Sequence, residues 1–251
     1  MPLSVKERQQ VIGAAPQGSA DEQSAAAAVR EMFDEIAPRY DLLNHVLSMN
    51  VDRLWWWRTA RSFRSVLGKS GTRALDMCCG TGDMAKALRR QGPDVEIVGA
   101  DFSRGMLTRG SPKFQRNRIK AVETDALCLP FPNESFDLVV SAFGFRNLAN
   151  YDAGLREIHR VLRPNGEVGI LDFSEPEGLL GNVYRLYFRN VLPKIGTILS
   201  GVSGPYAYLP ASVSRFPSPN EMLARMRVAG YHEVLWVPYT FGIAGLYRAR
   251  K

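Results

Sequence analysis

The sequence predicts an α/β fold, a mainly parallel sheet with helices on both faces behind an N-terminal helical extension. Two observations carry this. Between residues 73 and 173, short runs rich in Val, Ile and Leu alternate with stretches of helical periodicity. The first run ends in a glycine loop, ALDMCCGTGD at 74–83, which opens directly into a helix. Strands covered on both faces read as near-continuous apolar runs, and these do.

In chain order, residues 1–24 form a polar arm, expected to be mobile. Its charges fall where a signal peptide needs its apolar segment. Residues 25–251 read as a single domain whose first part, 25–70, is a helical cap. Val29, Met32, Phe33 and Ile36 recur at helical spacing, Pro38 breaks the run, and Tyr40 to Met49 resumes it. Leu54, Trp55, Trp56, Trp57, Val66 and Leu67 carry a third stretch. Strands are then expected at 73–77, 96–100, 119–123, 136–142 and 167–173, with helices at 84–91, 103–115 and 153–162 between them. A mixed apolar and basic insertion spans 178–217. Its first part reads as helical, and a loop containing YAYLPASVSRFPSP follows. A helix at 220–229 precedes two last strands, 233–238 and 242–247, which bring the sheet to seven.

The bulk numbers narrow the classes. The chain has 251 residues, 45% hydrophobic and 23% charged, the composition of a soluble globular protein. No stretch approaches the roughly 18–20 apolar residues of a membrane span, so the expected location is cytoplasmic. Three cysteines, two of them adjacent (Cys78, Cys79 and Cys128), do not make a disulfide framework and read as small buried thiols. His45, His159 and His232 are scattered, and none sits at ligand spacing, so no metal is expected. Net charge is +7. Arg58, Arg61, Arg64, Lys69 and Arg73 form one basic cluster; Arg104, Arg109, Lys113, Arg116, Arg118 and Lys120 form another. Each reads as a solvated helix surface, or as a face for nucleic acid or anionic lipid.

The chemistry concentrates at the glycine loop, which lies where open α/β sheets bind ligands, beyond a strand's carboxyl end. Gly80-Thr81-Gly82-Asp83-Met84-Ala85 fits G-x-G-x-x-G/A, a dinucleotide fingerprint that is weak alone. Asp76, Asp83 and Asp101 crowd it with negative charge and no Lys or Arg within the loop offsets them, a poor setting for pyrophosphate. A partly cationic ligand without phosphate fits better, and S-adenosyl-L-methionine is one. A nicotinamide-dependent oxidoreductase and a basic nucleic-acid-binding module stay open at this point. For the latter, the chain lacks both an N/D-P-P-Y motif and a Pro-Cys loop.

Asp76 ending the first strand, the G-x-G loop and Asp101 ending EIVGAD together resemble class I methyltransferases, with their Rossmann-like seven-stranded sheet and antiparallel finish. That resemblance implies that Asp101 takes the two ribose hydroxyls of S-adenosyl-L-methionine, with Phe102 beside it. It implies that Asp125 and Ala126 in AVETDALCLPFP hold the adenine, and that Asp76, Gly80, Thr81, Gly82 and Ala142 complete the cofactor site. The flanks narrow it further. MFDEIAPRYDLLNHVLSMNVDRLWWWR, FGFRN, RVLRPNGEVGILDFSEP and YAYLPASVSRFPSPNEML resemble the signatures of the UbiE/MenG family of quinone C-methyltransferases, in order from about Val29 to Lys251. There are departures. Asn165 stands where Gly is expected, His45 for an acidic residue, Asn50 for Gly, and Ala142 where a relative carries Ser.

The resemblance implies methylation of a ring carbon of a prenylated hydroquinone, with demethylmenaquinol the leading substrate and the ubiquinol precursor the alternative. A phenol with a pKa of about 10 costs roughly 4 kcal/mol to ionise at neutral pH. Arg146 is the candidate for stabilising the phenolate, although a structural ion pair suits an arginine equally. Asn147 is the candidate for the other ring oxygen, and Tyr40, Asp41 and Asn44 for closing over the ring. The proton acceptor stays open, His45 included. The partners implied are the hydroquinone and, transiently, the inner membrane face, touched by the tryptophan run or by 179–204; core packing of one or two tryptophans is the simpler reading of that run. No nucleic-acid partner is expected, and a homodimer is compatible with the reading.

Overall fold

The computed structural model describes residues 13–14, 16, 19–37, 50–176 and 204–251. The expected helix at 40–49, with Tyr40, Asp41, Asn44 and His45, lies outside the described residues, as does most of the 178–217 insertion.

Seven strands form one sheet. They are β1 (Arg73–Met77), β2 (Glu96–Asp101), β3 (Ile119–Glu123), β4 (Phe136–Ala142), β5 (Leu162–Phe173), β6 (His232–Tyr239) and β7 (Ala244–Arg250). The order is β3-β2-β1-β4-β5-β7-β6. β3 to β5 pair in parallel; β7 is antiparallel to both β5 and β6. Strand order reverses between β1 and β4, which opens a crevice at their carboxyl ends.

Alternate residues of these strands feed opposite layers. Leu75 and Val139 pack with Tyr151, Leu155, Ile158, Met222 and Met226, from α6 (Tyr151–Val161) and α8 (Pro219–Val228). Ala74, Leu138 and Val140 pack with Trp55, Phe63, Leu88 and Phe114. Those come from α2 (Val51–Ser62), the following turn, α4 (Asp83–Gln91) and α5 (Arg104–Arg116), with the short α3 (Arg64–Leu67) between.

Helix starts follow their caps. α1 (Glu22–Ile36) begins inside the expected arm because Asp21 and Ser24 form a reciprocal capping box, with Ser24 N donating to Asp21 Oδ1 at 2.8 Å. Asn150 Oδ1 accepts from Ala153 N at 2.9 Å and starts α6 at Tyr151. Ser218 and Glu221 do the same for α8. The expected loop around YAYLP is instead α7 (Gly204–Arg215), with Pro210 inside it. Burial of Val213 and Phe216 against the core outweighs the backbone bond a proline removes. β5 begins at Leu162, before the expected strand, because Leu162 already pairs with Phe136. Asn165 turns the chain at φ 63°, the left-handed conformation that asparagine tolerates.

The tryptophan run divides as the simpler reading has it. Trp55 is buried, Trp56 is partly buried and Trp57 is exposed. Trp55 Nε1 donates to Thr240 Oγ1 at 2.8 Å, and its ring meets Phe143 and Phe173. Of the thiols, Cys79 is buried and Cys78 partly so; Cys128 is exposed, because its turn runs along the surface after β3.

Candidate active site

The loop after β1 is a sequence of left-handed residues: Cys78 at φ 58°, Gly80 at 53° and Gly82 at 89°. Asp76 stands buried behind it. Its Oδ2 accepts from Ala85 N at 2.8 Å, in the first turn of α4, while Oδ1 has no partner. Burial pushes this carboxyl well above the usual range, against the Ala85 bond, and the charges of Asp101 and Asp83 add to the push. Gly82 serves packing as well as backbone freedom: a Cβ there would sit 2.3 Å from Phe114 Cε1. The negative charge of the loop is partly compensated from outside it. Lys113 of α5 places Nζ 2.7 Å from Asp83 Oδ1 and 3.2 Å from Thr81 Oγ1. The balance read from the loop alone is therefore corrected for Asp83, whose cation arrives from the next helix.

Asp101 bridges the two strand ends. Oδ2 accepts from Gly80 N at 2.7 Å and Oδ1 from Ser103 N at 2.9 Å. A carboxylate oxygen accepts twice, so each keeps capacity for one hydroxyl, which suits a vicinal diol. Burial raises its pKa to about 6, against the backbone hydrogen bonds from Ser103 and Gly80 that lower it; Asp34 adds to the rise.

These ends open onto a cleft of about 740 Å³, mouth included. Of the residues picked out in the sequence, Gly80, Asp101, Phe102, Asp125, Ala126, Ala142 and Asn147 line it; Asp76, Thr81, Gly82 and Arg146 are buried and do not. Asp125 Oδ1 accepts from Leu127 N at 2.8 Å, which turns the chain so that Ala126 and Leu127 face the cleft. Among the described residues, the carboxylates lining the cleft are Asp101 and Asp125, and no Lys, Arg or His lines it. Such a wall disfavours pyrophosphate. A diol, an amine donor and a cationic group match it, and S-adenosyl-L-methionine carries all three.

Sequence reasoning missed the outer wall. α1 sends Ala26 and Phe33 into the cleft. The Phe33 and Phe102 ring centroids are 6.5 Å apart, and Arg30 lies 5.5 Å over the Phe102 ring. The signal lay in MFDEIA, which reads as an ordinary amphipathic helix until its partner is known.

On the other side of the crevice, β4 is followed by Phe143 at φ 59° and a 3₁₀ turn, Phe145–Asn147. Arg146 is turned inward. Its guanidinium pairs with Asp172 Oδ1 at 3.0 Å, donates to Phe143 O and lies 5.3 Å over the Phe173 ring. Its backbone N donates to Asp172 Oδ2 at 3.0 Å, and its Nε has no partner. Asp172 is fully buried, and burial lifts its carboxyl above the usual value while Arg146 pulls it back. Asn147 Oδ1 accepts from the Tyr208 hydroxyl at 3.2 Å. Among the described residues no group of His, Cys, Asp and Glu could hold a metal ion, and no helix is long and apolar enough to cross a membrane.

Comparison with known proteins agrees with this geometry. The family model described as the ubiE/COQ5 methyltransferase family matches residues 19–251. The chain is 49% identical to the demethylmenaquinone methyltransferase of Deinococcus radiodurans, over 92% of this chain and 95% of that one. It is 43% identical to the ubiquinone/menaquinone biosynthesis C-methyltransferase UbiE of Geobacter sulfurreducens, over 89% and 88%. Among solved structures it resembles the cyclase SpnF with a TM-score of 0.67 at 18% identity, covering 96% of this chain and 99% of that one. A SAM-dependent methyltransferase from Thermotoga maritima gives 0.62 at 18%, over 89% and 99%. At such identities the structures speak for the fold alone, a Rossmann-like class I methyltransferase sheet. Sequence match, strand order and a cleft walled by carboxylates converge, and the chain belongs to the ubiE/COQ5 methyltransferase family.

Proposed function

We propose that this chain methylates a ring carbon of a prenylated hydroquinone, taking the methyl group from S-adenosyl-L-methionine and converting demethylmenaquinol to menaquinol, with S-adenosyl-L-homocysteine and the displaced ring proton as the other products. The observation that carries the cofactor reading is the cleft wall, which among the described residues holds two carboxylates and no cation. The acceptor reading rests on the relatives, which are named for demethylmenaquinone and for the joint ubiquinone/menaquinone step. The second name favours the ubiquinol precursor as an alternative substrate.

Bound at the cleft, S-adenosyl-L-methionine supplies an electrophilic methyl group on a sulfonium. The remaining work falls to the chain. Asp101 accepts the ribose hydroxyls, Asp125 accepts from the adenine amine, and the Ala126 N–H meets a ring nitrogen. Asp76, Thr81 and Gly82 shape the loop from behind. Asn147 offers its amide to a ring oxygen; Tyr40, also a catalytic candidate, lies outside the described residues. Arg146, neutralised by Asp172, acts from behind the cleft wall by holding the turn that carries Asn147. Alignment of carbon and methyl, with water kept out by α1, lowers the remaining barrier. Leu54 and Trp57, both exposed on α2 beside Arg53 and Arg58, support transient contact with an anionic membrane surface.

The test is product mass spectrometry. Protein and S-adenosyl-L-methionine are incubated separately with detergent-dispersed demethylmenaquinol and with the ubiquinol precursor. A gain of one methyl on the first is expected. Gain on the second alone reverses the substrate assignment, and gain on neither, with cofactor binding measured, removes the quinol reading.

A further inference from the structure

Asn147 reaches the cleft from a 3₁₀ turn, where little holds its side chain. Its Nδ2 lies 3.4 Å from Phe143 O, a long hydrogen bond to a carbonyl that Arg146 already uses. Phe143 O can only accept, which puts the amide nitrogen on that side and Oδ1 on the other. Oδ1 meets the hydroxyl of Tyr208, 61 residues away on α7, at 3.2 Å. That hydroxyl is the donor, since burial pushes its pKa up to about 12 and keeps it protonated. One Nδ2 hydrogen goes to Phe143 and the second is left for whatever occupies the cleft. Tyr208 does not line the cleft itself.

We propose that Tyr208 is a positioning residue: its hydrogen bond locks the Asn147 carboxamide so that the second Nδ2–H faces the methyl acceptor. The inference rests on the reading that Asn147 meets a ring oxygen of that acceptor. It gives α7 a purpose beyond covering the core, because the helix that buries Val213 also supplies, among the described residues, the side-chain hydrogen bond to Asn147 Oδ1. Without that bond the amide keeps only a long contact and can flip its acceptor oxygen toward the ring oxygen.

The experiment compares wild type, Tyr208→Phe, Asn147→Ala and the double variant with demethylmenaquinol. Phe keeps the ring, so the midpoint of thermal unfolding and the Kd for S-adenosyl-L-methionine should hold. A net hydrogen bond of ordinary strength sets a fall in kcat of about three- to tenfold for Tyr208→Phe. In the Asn147→Ala background the same substitution should have no further effect. The Asn147 side-chain amide resonances, distinct in the wild type, should broaden or shift in Tyr208→Phe. Wild-type kcat in Tyr208→Phe, with Asn147→Ala impaired, overturns the inference and leaves the Asn147 reading standing. An equal loss in both backgrounds shows a merely structural tyrosine. Wild-type turnover in Asn147→Ala overturns both.

Discussion

Asp34 Oδ1 lies 2.5 Å from the Ser103 hydroxyl and 3.0 Å from the Gly105 amide, so the end of α1 is stitched to the first turn of α5. At the other end of α1, Glu22 Oε1 accepts from Asn150 Nδ2 at 2.9 Å, beside α6. The helix thus spans the crevice from its β2 side to its β4 side, with Phe33 in the cleft between. A ligand can enter or leave past α1 only if one of these ties yields.

Asp34→Ala should therefore weaken cofactor affinity by about tenfold, chiefly through faster release, since a hydrogen bond to a carboxylate is worth roughly 1.5–3 kcal/mol and part of that is regained from water. Calorimetry gives the Kd and stopped-flow displacement the off-rate. Unchanged values in a folded variant would mean that α1 lies over the cleft without holding it shut.

Burial raises the Asp101 carboxyl to a pKa of about 6, above the ordinary 3.8. The charged form is the one that accepts from two backbone amides and from a diol. Cofactor affinity should accordingly be full above pH 7 and fall as pH drops through 6, approaching tenfold per unit at the limit. The stability sign is opposite: the fold binds this proton more tightly than the unfolded chain does, so stability from this group rises as pH falls from about 6 toward 4. Affinity measured from pH 5 to 8 checks the first. A flat profile would place the diol elsewhere, and Asp101→Asn should mimic the low-pH affinity at every pH.

Much of this site could be read from the chain because its signals are local. β1, β3 and β4 begin and end at their apolar runs, as the sequence has them. Gly80, Gly82 and Asp101 are legible since a left-handed turn needs glycine and a strand-end carboxylate has few structural uses. What escaped depends on partners far along the chain. Lys113 answers Asp83 from 30 residues away, Asp172 answers Arg146 from 26, and Tyr208 answers Asn147 from 61. No spacing rule reaches that far. α7 escaped for a related reason: Pro210 argues against a helix locally, and only burial against the finished sheet outvotes it.

Gly82→Ala should damage the loop twice. Its φ of 89° is strained for alanine, and the new Cβ would press on Phe114. Overpacking alone costs about 1–3 kcal/mol, and the left-handed backbone adds about 1. Chemical denaturation should show both, and Gly82→Ala with Phe114→Leu should recover only the packing part. Full recovery would mean that the backbone there carries no strain.

Arg146 and Asp172 provide the last test, because the geometry separates a charge aimed at substrate from one neutralised inside the wall. Both are nearly inaccessible, with side chains 7% and 0% exposed. Arg146→Met removes the cation and leaves Asp172 with backbone donors from Arg146 N and Phe173 N alone. Breaking a buried pair from one side costs about 3–5 kcal/mol. In the wild type Asp172 already titrates above its ordinary value, and without Arg146 it moves higher. A carboxyl raised in the fold weakens stability most above that raised pKa and relents as pH falls through it. The deficit of Arg146→Met should therefore be larger at pH 7.5 than at pH 5 and shrink when Asp172→Asn is added. Cofactor Kd should change little, because neither residue lines the cleft. Turnover should fall in Arg146→Met and recover in part with Asp172→Asn if the pair merely holds the turn that carries Asn147. A stable Arg146→Met with turnover lost, and no recovery from Asp172→Asn, would instead place the guanidinium charge on the acceptor itself.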